Sequence, residues 1–469
     1  MTPRHSIWLS IVAAAFCGCG NAGSEPSART DAEREVRASR VRVPGDDDVL
    51  ALNASGIGRT VTPTGSIDTS GLFFQSLGVN GRACVSCHVA AEGWTITPAG
   101  VSRRFEETGG RDPIFRPNDG STSPQADLST KEARARAFAL LISKGLIRVG
   151  LPIPDGAEFE LAAVDDPYGY ASSKELSLFR RPLPAANLGF LSAVMWDGRE
   201  TLKGMTIHQD LADQSNRATQ GHAQKVDPLS DAQREEIVSF EMGITFAQAL
   251  GYRAGLLHGG GALGGPVELA ATPFYLGIND TLGADPTGKP FDPVAMTLFS
   301  AWSGLSGGRR DQARAAIARG EALFNSKPIA ISGVRGLNDA LGVPTIAGTC
   351  TTCHNTPNVG DHSVALPLDL GLTDESRRTS DLPLYTLRNK TTGETFQTSD
   401  PGRALITGLW KDLSRFKGPI LRGLAARAPY FHNGSAATLG DAVDFYDTRF
   451  GIGFSAQERA DLVAFLESL

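Results

Sequence analysis

Two pentapeptides of one pattern constrain this chain more than any other feature: Cys84-Val85-Ser86-Cys87-His88 and Cys350-Thr351-Thr352-Cys353-His354. C-x-x-C-H is the attachment signature of c-type haem. Two thiols three positions apart on a helical turn add to the two vinyl groups, and the adjacent histidine is held under the iron as proximal ligand. Four cysteines in an exported chain could instead form two disulfides, but the spacing argues against it. A zinc site would use C-x-x-C pairs too, yet it leaves the histidine after each pair without a role. The expectation is two covalently bound haem c groups, with Cys84, Cys87, Cys350 and Cys353 as attachment points and His88 and His354 as iron ligands.

The other two cysteines, Cys17 and Cys19, lie in an export signal. Arg4 and His5 lead into an apolar run from Ile7 to Phe16, too short for a bilayer span and the right size for a signal-peptide core. The run ends in Phe16-Cys17-Gly18-Cys19, which resembles a bacterial lipobox with Cys19 as the better lipid anchor; an ordinary secretory signal is the alternative. Residues 1–19 are read as signal peptide and lipobox, and 20–55 as a flexible tether. The mature chain is expected in the periplasm, lipoprotein-anchored to the cell envelope. A charged fraction of 20% and a net charge of -6 give no electrostatic footprint for nucleic acid.

With 469 residues there is room for two or three domains at about 150 residues each. The expected fold is mainly α, with two cytochrome-c-like haem domains in tandem, long loops and a small β-hairpin. Asp311 to Asn325 reads as a helix preceding the second haem motif. Ser455 to Glu458 is a capping box before an apolar stripe at Leu462, Phe465, Leu466 and Leu469. Ser230 to Gln233, followed by Ile237, Val238 and Phe240, repeats that layout and suggests an internal duplication. The haem domains are placed at 56–250 and 310–469. Between them, 251–309 is rich in glycine and proline and reads as connecting loop, contributing no core. Tyr385 to Thr398 alternates around a Thr-Gly turn and is the expected hairpin.

Two further passages carry a family likeness: Met195-Trp196-Asp197-Gly198-Arg199, and Leu421-Arg422 followed by Ala428-Pro429-Tyr430-Phe431-His432-Asn433-Gly434 and Thr438-Leu439. With both haem motifs, they resemble the bacterial dihaem cytochrome c peroxidases and their MauG-type relatives, over most of 71–469. Residues 99–170 and 251–306 fall outside the likeness, and the haem motifs lie further apart than in compact members, so the chain looks like a long-form relative. The resemblance implies that Trp196 is an aromatic relay between haems, that Arg422 neutralises a haem propionate, and that His432 lies near the haem pair. A large core residue is the plain alternative for Trp196.

The last methionine is Met296, so no methionine after the second motif can ligate its iron. The family's axial methionine sits fourteen residues after the histidine of the APYFH segment, which here is Tyr446, and MauG-like members carry tyrosine there. A phenolate is a hard donor that stabilises ferric iron; packing in the core is the alternative. For the first haem, no histidine lies between His88 and His208, so the resemblance implies an open sixth position for hydrogen peroxide or O₂. The family uses a glutamate as distal acid and base after the W-D-G-R segment. In this chain Gly221-His222-Ala223-Gln224 occupies roughly that place, making His222 the candidate, with a surface or structural histidine as the rival reading and His208 in reserve. His258 and His362 sit in Gly-rich or polar loops and are read as incidental. Calcium between the haems is a weaker implication, because the asparagine ligand position, fifteen before Trp196, is Arg181, leaving only the carbonyls of Arg427 and Pro429.

The implied activity is reduction of hydrogen peroxide at the open N-terminal haem, with electrons passing through the C-terminal haem from a small periplasmic cytochrome c or cupredoxin. MauG-like oxidation of a protein substrate, O₂-dependent oxygenation of an organic substrate, and a non-enzymatic dihaem electron carrier are the alternatives.

Overall fold

The computed structural model describes residues 49–469, so the signal, the lipobox with Cys17 and Cys19, and most of the tether lie outside the described residues. Among the described residues, helices are interspersed with four small antiparallel sheets. The fold is therefore mixed, with more β-structure than the single hairpin expected. The extra strands escaped sequence reading because they are short and their partners are remote. Gly56–Val61 pairs with Thr245–Gly251, and Leu50–Leu52, at the end of the stretch read as tether, adds to its other edge with Ala51 fully buried.

The hairpin forms where the Thr-Gly turn places it. Tyr385 pairs with Thr398 and Arg388 with Thr395, and the turn is held by the Asn389 side-chain oxygen, which accepts from the Thr391 and Thr392 amides. Tyr385 and Leu387 point to one face and are fully buried, the period-two signature of a strand. A third strand, Phe159–Asp165, completes the sheet and ties the two halves of the chain together.

Two helix pairs share one construction. Ile207–His222 is capped by Thr206 and Asp231–Gly243 by Ser230; Leu439–Phe450 is capped by Thr438 and Ala456–Leu466 by Ser455. In all four, the cap hydroxyl accepts from the third helical amide and that residue's side chain answers to the cap amide. Each such cap contributes about 1 kcal/mol. The terminal helix packs on Arg309–Ser326 at a close crossing where Gly320 is required, since a Cβ there would lie 2.0 Å from the Asp461 carbonyl oxygen. Arg319 grips the Asp461 carboxylate with two 2.8 Å bonds across this crossing.

Residues 251–309 are mostly irregular, with a short helix at Pro266–Ala270 and a strand at Gly255–Leu256, but the expectation that they contribute no core is overturned. Met296, Phe299 and Trp302 are fully buried beside Phe324 and Phe465, and Phe299 stacks on Trp302 at 5.1 Å. Apolar residues spaced among glycines bury without a helical or strand period, so periodicity missed them. Among the described residues, no helix is long and apolar enough to cross a membrane.

Candidate functional site

Both C-x-x-C-H motifs fold into the same local device. Cys84–Ser86 and Cys350–Thr352 are single 3₁₀ turns, each fastened by a hydroxyl that accepts from the amide before the turn: Ser86 Oγ from Ala83 at 3.1 Å, and Thr352 Oγ1 from Thr349 at 3.0 Å. The histidine amide then bonds to the carbonyl of the first cysteine, at 3.0 Å for His88 and 3.1 Å for His354. In each case Nδ1 meets a carbonyl six residues on, that of Trp94 at 3.1 Å and that of Gly360 at 2.6 Å. With Nδ1 donating, Nε2 is the nitrogen left for a metal. Gly360 has a positive φ and no room for a side chain, since a Cβ would sit 2.8 Å from Met296 Cε. Burial pulls the His88 imidazole down to about 4, against the Trp94 bond, so the ring is neutral as a ligand must be. Burial also raises the thiols, Cys84, Cys350 and Cys353 each to about 12, which is unlike the depressed value of a reactive redox dithiol.

Each motif opens into a cavity. The second is the larger, with about 1530 Å³ free of protein atoms, counting space open to solvent. Cys350, Cys353, His354 and Tyr446 all line it, together with Phe324, Leu366, Leu439 and other apolar side chains. The first has two adjoining lobes of about 1040 and 760 Å³, and His88, Gln214, His222 and Glu241 border both. These sizes match or exceed the roughly 300–1,000 Å³ of small-molecule and cofactor pockets. Paired thiols, a neutral histidine with Nε2 free, and apolar walls are the donor set and surroundings a c-type haem requires, so the residues fit that group at both places.

His222, the last residue of its helix, lines the first cavity. Its Nδ1 meets the Asp119 carboxylate, whose other oxygen pairs with the Arg82 guanidinium. Burial alone would raise the Asp119 carboxyl, but Arg82 and His222 hold it below its ordinary value. Arg82 is itself fixed by the carbonyls of Pro113, at 2.9 Å, and Ile114, at 2.6 Å. Arginine anchors aspartate, aspartate orients histidine, and Nε2 is left for chemistry, the logic of an oriented base. His208 lies elsewhere, against Glu235 on the surface, and His258 is exposed.

Glu241 was missed by sequence reading. Its Oε2 is buried without a partner, and burial pushes the carboxyl up to about 8, so it is protonated at neutral pH. The signal was present: Glu241 lies four residues after Ile237 and three after Val238, on the buried stripe of its helix. Asp119 offered no such signal, because it comes from an irregular stretch 103 positions before His222.

Trp196, Lys417 and Pro419 border both cavities and form their common wall. The Trp196 indole donates to the Arg181 carbonyl at 2.8 Å, and its ring lies 6.2 Å from that of His432, edge to face. His432 stacks on Phe416 at 4.0 Å. The residues after Trp196 brace the wall: Asp197 is buried between Arg180, at 2.5 Å, and Arg199, at 3.0 Å, while Arg180 also grips Asp400. Removing one member of such a buried network costs about 3–5 kcal/mol.

His362, read as incidental, is buried and lines the second cavity. Neither its two ring nitrogens nor those of His432 have a partner, and burial lowers both rings to about 4. Four orphaned nitrogens on one cavity wall are unusual for a protein interior and suit a bound group with polar substituents. Arg422 is fully buried but borders neither cavity; its guanidinium donates to the carbonyls of Asn358, at 2.9 Å, and Gly265, at 3.2 Å. At the calcium position implied by the resemblance, the Arg181 side chain stands where the asparagine ligand would be and donates to one of the two remaining carbonyls, that of Arg427 at 3.3 Å, so a guanidinium rather than a ligand oxygen faces that place.

No family model matches the chain. The cytochrome-c peroxidase IdrP1 of Pseudomonas sp. (strain SCT) is 34% identical over 171 residues, 32% of this chain and 39% of that protein. The cytochrome-c peroxidase IdrP2 of Denitromonas iodatirespirans is 33% identical over 141 residues, 28% and 38% of the two chains. The cytochrome c551 peroxidase of Nitrosomonas europaea is 32% identical over 123 residues, 26% and 30%. Over these stretches the chain is similar to bacterial cytochrome c peroxidases. The relationship to these peroxidases spans less than two fifths of their length. A solved MauG-like protein associated with microbial copper homeostasis overlaps with a TM-score of 0.37 at 16% identity, over 85% of both chains, too low to equate the folds.

Proposed function

We propose that the chain is an exported dihaem c-type peroxidase that reduces hydrogen peroxide at the first cavity, with electrons arriving by way of the second. The observation that carries this reading is the convergence of His88, His222 with its Asp119–Arg82 support, and Glu241 on one cavity. Bound through Cys84, Cys87 and His88, haem c supplies the redox-active iron at which the peroxide bond is reduced. The reaction takes two electrons and two protons per peroxide and forms two waters, so the chain must hold and move protons. His222 Nε2, aimed by Asp119, takes the proton from one peroxide oxygen and returns it to the other. Glu241, protonated at neutral pH, is the second donor.

At the second cavity, Cys350, Cys353 and His354 would hold the other haem c, Tyr446 would offer a phenolic oxygen in place of a thioether, and His362 and His432 would offer ring nitrogens to its polar substituents. Trp196 in the shared wall is the relay. The donor is a small periplasmic cytochrome c or a cupredoxin, and Cys19 anchors the chain to the envelope. Tyr446 favours one second reading, MauG-like oxidation of a protein substrate, because a phenolate lowers the potential and favours oxidising chemistry.

Peroxide-dependent oxidation of a reduced small cytochrome, measured on the haem-loaded protein, tests the first reading. Turnover that His222→Ala reduces at least a hundredfold is expected; no turnover with any reduced cytochrome or cupredoxin at full haem content would overturn it.

A further inference from the structure

Arg181 is buried beside the first cavity, where its carbonyl holds the Trp196 indole, and its side-chain partners are carbonyl oxygens rather than carboxylates. Nη2 donates to Ile96 at 2.6 Å and Arg427 at 3.3 Å, and Nη1 donates to Lys144 and Gly145, each at 3.2 Å. These oxygens come from three separate segments of the chain. A full charge solvated by converging peptide dipoles is the arrangement by which carbonyl cages take hard cations, here with the cation attached to the chain. Room for it has been kept: Gly145 has a positive φ, and a Cβ there would lie 2.0 Å from Arg181 Nη1.

The same residue fixes the wall through its backbone. Its amide donates to the His432 carbonyl at 2.6 Å, and its carbonyl accepts from the Trp196 indole at 2.8 Å. Displacing the guanidinium would leave four carbonyls without their donor and loosen both aromatic groups that face each other across the wall.

We propose that the Arg181 guanidinium is a built-in cation that fills the carbonyl cluster beside the first cavity, closing it to divalent metal and positioning Trp196 and His432 without calcium. This departs from the calcium site that the likeness to dihaem peroxidases implies, and it holds whether or not peroxide is the substrate. Of the two carbonyls left for a metal, that of Arg427 already accepts from the guanidinium, whose positive charge repels a second cation and cannot be removed by a chelator.

Thermal unfolding of the full haem-loaded chain decides the matter. The wild type is expected to melt at the same temperature, with the same haem absorbance, after EDTA treatment and in millimolar calcium chloride, and to carry no stoichiometric calcium. Arg181→Met should lower the midpoint by roughly 5–10 °C, and Arg181→Lys, which restores a cation with three donors, should recover more than half of that loss. A midpoint that falls in EDTA, or one calcium per purified chain, overturns the proposal. So does an Arg181→Met protein that melts with the wild type, or an Arg181→Lys protein no better than Arg181→Met. If Arg181→Met does not accumulate, the chelator arm and Arg181→Lys against wild type still decide.

Discussion

The two attachment turns are built alike, down to the hydroxyl that fastens each one and the carbonyl six residues on that orients each histidine, yet the cavities above them are opposites. The second carries a phenol and two unpartnered imidazoles among its apolar side chains. The first carries an oriented histidine, an amide and a protonated carboxyl. The helix pairs make the contrast positional. Gln214 stands eight residues past the capping Thr206, as Tyr446 stands eight past the capping Thr438, and each lines its own cavity. On the proposed reading, the same capped-helix layout offers an iron ligand in one place and a substrate-facing amide in the other. The proposal therefore assigns reactivity to what the covering helix presents and attachment to the turn beneath.

The strongest way to break this comparison is to exchange the paired positions. Gln214→Tyr is expected to place a phenol over His88 and cut peroxide turnover by a factor of ~10²–10⁴, the worth of general acid–base access to the site. Retention of wild-type turnover would show that the two helices are not equivalent. His222→Ala should lose a similar factor while leaving the optical spectrum of the second haem unchanged; stopped-flow kinetics with peroxide measures it. Asp119→Asn keeps the shape and removes the orienting charge, so a smaller loss of about 10–100-fold is expected, in keeping with outer partners of functional histidines.

Glu241 sharpens the comparison through pH. Its carboxyl titrates near 8 when folded and near 4.5 as a free side chain. Between those values the unfolded chain releases a proton that the folded chain keeps, so this group's contribution to stability falls as pH rises across the window. Activity that needs the protonated acid should decline above about pH 8. Glu241→Gln should abolish that alkaline limb and flatten the pH dependence of unfolding; an unchanged profile would remove Glu241 from the proton route. The smallest effect on turnover is expected from Tyr446→Phe, which should alter the spectrum and potential of the second haem alone.

How much of this was legible in the sequence follows from range. The haem turns, the caps at Ser230 and Ser455, and the hairpin after Tyr385 rest on residues within a few positions of one another, and local chemistry announces them. The oriented His222 could be placed near the site but not explained, because Asp119, which links it to Arg82, comes from a stretch with no period and no family likeness. Glu241 could have been found by reading a charged residue on an apolar stripe as a buried one. The core role of Met296, Phe299 and Trp302 could not, since those side chains converge only once the glycine-rich chain around them is folded.

Electron paramagnetic resonance of the as-purified ferric protein probes the contrast between the cavities at its source, because it reads the coordination of each iron separately. Two inequivalent centres are predicted, one high-spin with an exchangeable sixth position and one whose signal shifts in Tyr446→Phe and in no first-cavity variant. Two matching low-spin signals, both indifferent to peroxide and to Tyr446→Phe, would refute it.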